Sequence, residues 1–101
     1  MVEIIWTNRA AQQFERAIKY ISTEQGIYYA NIVRLGIIEK IEILQYEPSI
    51  GSLEPLLKHK KSEYRFLVKW SYKIIYRVVN KQVIISRIFH TSRNPKHLKG
   101  I

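Results

Sequence analysis

The sequence contains neither cysteine nor aspartate. The first absence removes disulfides and thiol catalysis together and agrees with a cytoplasmic location. The second excludes the serine–histidine–aspartate triad in its usual form. Long apolar runs are also missing. No stretch approaches the roughly 20 apolar residues that span a bilayer, and the start, MVEIIWTNRA, has too short an apolar run, broken by Glu3, to resemble a signal peptide. No P-loop or G-x-G-x-x-G signature is present to hold a phosphate. The histidines, His59, His90 and His97, lack cysteine partners and helical HExxH spacing, so neither a metal site nor a cofactor is predicted. Acidic residues almost vanish from the second half. Residues 1–55 carry five Lys or Arg against seven Glu, a net charge of −2, whereas residues 56–101 carry twelve against Glu63 alone, a net charge of +11. Basicity confined to one half favours a polyanionic partner such as nucleic acid, a ribonucleoprotein or an acidic protein segment. A membrane surface fits less well, because the cations fall on predicted strands.

What is present reads as one domain over residues 1–101, with 47% apolar residues to supply a modest core. Val2 to Trp6 is a short apolar strand. Thr7 or Asn8 can cap a helix in which Ala10, Ala11, Phe14, Ala17, Ile18 and Ile21 recur at helical spacing, ending near Glu24 to Gly26. A second helix runs from about Tyr28 to Tyr46, with a stripe of Ala30, Val33, Ile37, Ile41 and Leu44, and the brief connection implies an antiparallel pair. Gly36 interrupts it and marks a close approach of two backbones. Ser49 to Lys61 is irregular, and Lys58, His59, Lys60 and Lys61 lead as a basic run into the sheet.

Glu63 to Pro95 alternates with period two and reads as three antiparallel strands. Pairing of Lys69 with Lys73 across a three-residue loop places Tyr64, Phe66, Tyr72 and Tyr76 in aromatic rows on one face. The other face then gathers Arg65, Lys69, Lys73 and Arg77, with Leu67, Ile75, Ile84 and Ile88 as an apolar strip. A two-residue loop would instead mix aromatics with cations. Arg87 falls in the row of Val83, Ile85 and Phe89, either as a ligand or as a partly buried arginine paired with a glutamate such as Glu39 or Glu42. RNA cleavage needs only a base, an acid and cations for the charged phosphorane. His90, at the end of the last strand, is the best-placed acid or base, unless it merely bonds the backbone there; Arg65, Lys73, Arg77, Arg87 and Arg93 are the candidate cations.

Arg65-Phe-Leu-Val, Tyr72-Lys-Ile-Ile-Tyr-Arg-Val and Ile85-Ser-Arg-Ile-Phe-His-Thr-Ser-Arg, in that order after Trp6, Ala10-Ala11 and Pro48-x-x-Gly51, resemble the RelE/ParE superfamily of toxins from type II toxin–antitoxin, or plasmid-stabilisation, modules. The resemblance covers nearly the whole chain. It implies an α+β fold, an N-terminal strand and antiparallel helical hairpin packed on an antiparallel meander. It also implies a small acidic antitoxin, in a complex that is oligomeric. The His90 and Arg93 arrangement looks more like the ParE branch, which poisons DNA gyrase. The alternatives are a RelE-like, metal-independent endonuclease acting on mRNA in the ribosome, or an inactive homologue that only binds antitoxin. On the RelE-like reading His90, Arg65, Arg77 and Arg93 are catalytic. Target or nucleic-acid contact is predicted at Lys58, Lys60, Lys61, Arg65, Lys69, Lys73, Arg77, Arg87 and Arg93. Antitoxin contact is predicted at Leu67, Ile75, Ile84 and Ile88.

Overall fold

A computed structural model describes residues 1–92, 98, 100 and 101. Strand β1 (Glu3–Trp6) leads into helix α1 (Asn8–Gln25). Thr7 is its cap: the hydroxyl accepts from the Ala10 amide at 3.1 Å and donates to the Ile85 carbonyl at 3.0 Å, so one side chain starts the helix and fastens it to the sheet. Gly26 alone separates α1 from α2 (Ile27–Glu42). Its φ of 95° and ψ of 157° lie outside the range of L side chains, while its amide donates to Ser22 and its carbonyl accepts from Ala30. Of the predicted α1 stripe Ala10, Phe14, Ile18 and Ile21 are buried and Ala11 and Ala17 half-buried, while Ala30, Val33, Ile37, Ile41 and Leu44, from α2 and the 3-10 turn Ile43–Gln45 that follows, are all buried. The outer side of α2 is apolar as well, with Tyr28, Ile32 and Leu35 exposed.

The sheet is wider than a three-stranded meander. β2 (Ser52–Leu53), β3 (Tyr64–Lys69), β4 (Tyr72–Val79) and β5 (Gln82–His90) join β1 in the order β1-β5-β4-β3-β2, with β1 parallel to β5 and the other pairs antiparallel. β2 falls in the stretch read as irregular.

Two features overturn the predicted faces. Lys69 pairs with Tyr72, not Lys73, across the two-residue loop Trp70-Ser71, which is possible because Trp70 takes a φ of 52°. Arg65, Leu67 and Lys69 therefore share a face with Tyr72, Ile74 and Tyr76 under the helices. Tyr64, Phe66 and Val68 stand with Lys73, Ile75 and Arg77 on the other face. Further on, Ile75 pairs with Arg87 but Tyr76 with Ile85, so Ser86 is an unpaired bulge. The bulge removes Arg87 from the row of Val83 and Ile85. Val83, Ile85, Ile88 and His90 lie on the helix face, and Ile84, Arg87 and Phe89 on the other.

That second face has its own small core. Leu57, from the 3-10 turn Pro55–Leu57, and Leu98 close over Ile75, with Tyr64, Phe89 and Ile101 packed beside them. Gly36 is the close approach that the sequence suggested, but to a side chain: a Cβ there would meet the indole of Trp70, 2.6 Å from Cζ3.

Candidate functional site

The predicted basic face does not assemble. Arg65 lies on the helix face, where its Nη1 donates to the carbonyls of Gly51 at 2.7 Å and Ser49 at 3.2 Å, and its Nη2 to Glu63 at 3.2 Å. It anchors the segment preceding β2. Arg77 is on the opposite face and donates to the Ser62 hydroxyl at 2.9 Å. Lys69 sits near the hairpin tip, 4.7 Å from the centre of the Trp70 ring. Lys73 turns into the second core, where its Nζ lies 2.6 Å from Oε2 of Glu54 and 4.3 Å from the centre of the Phe66 ring. Glu54 is 2% exposed. Its Oε1 accepts from the Leu56 amide, while Oε2 has no aligned hydrogen bond and is held by the lysine's charge and proximity.

Arg87 is buried, and its Nη1 donates to the Ser86 carbonyl at 2.8 Å. Burial lowers its pKa, Arg9 nearby lowers it further and Tyr64 opposes them, yet a guanidinium remains charged throughout the working range. Pairing with Glu39 or Glu42 is closed to it, since those residues are on α2, across the sheet.

His90 ends β5 on the helix face, edge-on to Tyr72 with ring centres 5.5 Å apart. The Ser92 amide donates to its Nδ1 at 3.1 Å, and the Ser92 hydroxyl is 2.7 Å away. Nδ1 is thus an acceptor, which in the neutral ring puts the proton on Nε2. Arg65 pairs with Tyr76 and His90 with Tyr72, four residues or about 13 Å apart along β4. Arg77, Lys73 and Arg87 are on the far face. No acid, base and cation set for RNA cleavage converges among the described residues, and no group of three metal-ligating side chains does either. Arg93 lies outside the described residues.

The predicted antitoxin strip also divides. Leu67 and Ile88 are buried beneath the helices and Ile75 in the second core, leaving the partly exposed Ile84. Lys58, Lys60 and Lys61 are exposed, and Arg77 adjoins this run through Ser62, so these four residues form an electropositive corner. Among the described residues no helix is long and apolar enough to cross a membrane.

Sequence reasoning missed two contacts. One is the Glu54–Lys73 pair, for which a single glutamate in an irregular stretch gives no signal. The other is the hydroxyl of fully buried Tyr76, which donates to the Pro48 carbonyl at 2.8 Å and accepts from the Gly51 amide at 2.9 Å. Here Pro48-x-x-Gly51 was the signal: a Cβ on Gly51 would lie 2.6 Å from that hydroxyl.

Comparison with known proteins agrees with the architecture. Residues 4–95 match the family model described as the ParE toxin of type II toxin–antitoxin system, parDE. No curated protein matches the sequence. Among solved structures, a chain of the chromosomal ParDE TA system from P. aeruginosa superimposes with a TM-score of 0.73 at 24% identity, over 89% of this chain and 96% of that one. At that identity the likeness concerns the fold.

Proposed function

Because the chain belongs to the ParE toxin family of type II toxin–antitoxin systems, we propose that it is the toxin half of such a module, acting in the cytoplasm by holding a target rather than by cutting RNA. The target is DNA gyrase, and an acidic antitoxin neutralises the toxin. The observation that carries this reading is the dispersal, among the described residues, of the groups that cleavage would need. His90 is separated from Arg77 and Arg87 by the thickness of the sheet, Arg65 is committed to two loop carbonyls, and Lys73 is committed to Glu54. A surface that binds needs no such convergence. The corner of Lys58, Lys60, Lys61 and Arg77 supplies charge for an acidic partner.

The test is inducible expression in a bacterial host, following labelled thymidine and amino-acid incorporation through the first minutes. Early loss of DNA synthesis with a DNA-damage response supports gyrase poisoning. Early loss of translation with replication intact sinks it in favour of ribosomal mRNA cleavage. No effect on either marks a homologue that only binds antitoxin.

A further inference from the structure

α2 is apolar on two opposite sides. The inner stripe packs on the sheet, and the outer side repeats the pattern in solvent: Tyr28, Ile32 and Leu35 recur at steps of four and three, Glu39 follows, and Ile43 and Tyr46 continue the row through the 3-10 turn. Residues three apart in such a turn eclipse, so these last two stay on the same side. Tyr28 is 80% exposed, Leu35 60% and Tyr46 73%. A helix that is apolar all round belongs in an interior. Among the described residues nothing covers this row.

Charge and area point to what does. Residues 27–46 carry Arg34 and Lys40 against Glu39 and Glu42, a net charge of zero on a chain of +9. An acidic partner gains nothing from a neutral face and is drawn instead to the Lys58–Arg77 corner. Two copies of this chain repel each other over most of their surface, yet here they can meet without opposing charge. A spacing of four and three is also the seam by which one helix packs along another. With a fully open aromatic side chain taken as roughly 150–250 Å², the row exposes on the order of 600 Å², and two copies would bury about 1,200 Å², the lower bound of a stable interface.

We infer that the outer row of α2 is the interface of a homodimer, in which a second copy of this chain lays the same row antiparallel across it. The two-fold axis passes between Leu35 and Glu39. Antiparallel pairing sets Tyr28 of each copy against Tyr46 of the other and offsets the two Glu39 carboxylates along the helix, whereas parallel pairing would bring them face to face. Arg77 is on the far side of the sheet from α2, so both electropositive corners stay open and the pair can grip a target at two points. The interface stands whichever target those corners hold.

The test is sedimentation of the intact protein between about 1 and 100 μM, where a dimer of this size should form. Leu35→Lys should weaken association about tenfold or more at unchanged melting temperature, and Tyr28→Lys, in the exposed first turn of α2, should do the same. Leu53→Lys, at an exposed apolar residue of β2, should leave it intact. Glu39→Leu removes the charge from the seam and should tighten the dimer. Added salt should also tighten it, by screening the charge of +9 on each copy. The inference fails if the protein stays monomeric throughout, if the dimer survives both lysine substitutions on α2, or if Leu53→Lys loosens it equally. A dimer that salt dissociates would be held by ion pairs elsewhere and would also overturn it.

Discussion

The Tyr76 hydroxyl stands between Pro48 and Gly51, donating to the carbonyl of one and accepting from the amide of the other, at 2.8 and 2.9 Å. A single phenol from the centre of the sheet thus closes the turn that carries the chain from the helices to β2. The turn has a second fastening from Arg65, which reaches the carbonyls of Ser49 and Gly51.

Tyr76→Phe keeps the ring and leaves the buried Gly51 amide without its acceptor. The loss should be about 1–3 kcal/mol, read by urea unfolding. Burial, the largest cause, raises the pKa of Tyr76, against the opposing pull of the Gly51 amide and Arg65. The folded state thus prefers the protonated phenol. Its contribution is complete below about pH 10, the ordinary tyrosine value, and is lost as pH rises through the higher folded value. Wild-type stability should fall more steeply above about pH 10 than that of Tyr76→Phe.

Two glycine substitutions should diverge. In Gly51→Ala the new Cβ meets the Phe66 carbonyl at 2.7 Å as well as the Tyr76 hydroxyl, and neither can withdraw, so about 1–3 kcal/mol should be lost. In Gly36→Ala the obstacle is the far edge of the exposed Trp70 indole, which can swing away. A helix-interior alanine gains about 1 kcal/mol over glycine. Its melting temperature should be unchanged or higher, accompanied by a red shift in tryptophan emission.

Lys73→Ala would strand the Glu54 carboxylate in the second core. Breaking a buried pair from one side costs about 3–5 kcal/mol, whereas Glu54→Leu with Lys73→Met should stay within about 1 kcal/mol of wild type. Urea unfolding of the two variants separates a structural lysine from one kept for a target. Retained growth inhibition by the double variant would assign Lys73 to the fold alone.

His90→Ala should leave growth inhibition intact, because the ring engages Ser92 and Tyr72 rather than a cation cluster. Arg65→Ala should lower the melting temperature by freeing the turn at Ser49–Gly51, while Arg77→Ala should leave it nearly unchanged and weaken target binding. The two arginines are on opposite faces and share no partner, so their effects on stability should add within about 0.5 kcal/mol. Loss of toxicity in His90→Ala, at unchanged folded yield, would instead favour the nuclease.

The helices were legible because a stripe such as Ala30, Val33, Ile37 and Ile41 has one geometric reading. The strands were legible for the same reason, through alternation. Their faces were not. Register at the first hairpin depended on whether Trp70 would accept a left-handed φ, which a sequence of Lys-Trp-Ser-Tyr does not announce. Val83, Ile84 and Ile85 are apolar on both faces, so nothing in the pattern marked the bulge at Ser86. With both phases uncertain, four cations that alternate faithfully along two strands were assigned to one face when two lie on each. The candidate site therefore depended on the one quantity that periodicity leaves open.

The Ser86 bulge sets how β5 tolerates a change in length. Its carbonyl is held by the Arg87 guanidinium and by the same Thr7 hydroxyl that starts α1. Yet Ser86 has no opposite number in β4. Removing it would let Ile85 and Arg87 follow each other in ordinary alternation, keeping every other side chain of β5 on its present side. Removing Ile84 or Ile88 instead would turn part of the strand inside out, trading aliphatic side chains for Arg87 or Phe89 beneath the helices. Ser86 is thus the position in β5 where descent can drop a residue and leave the interior intact.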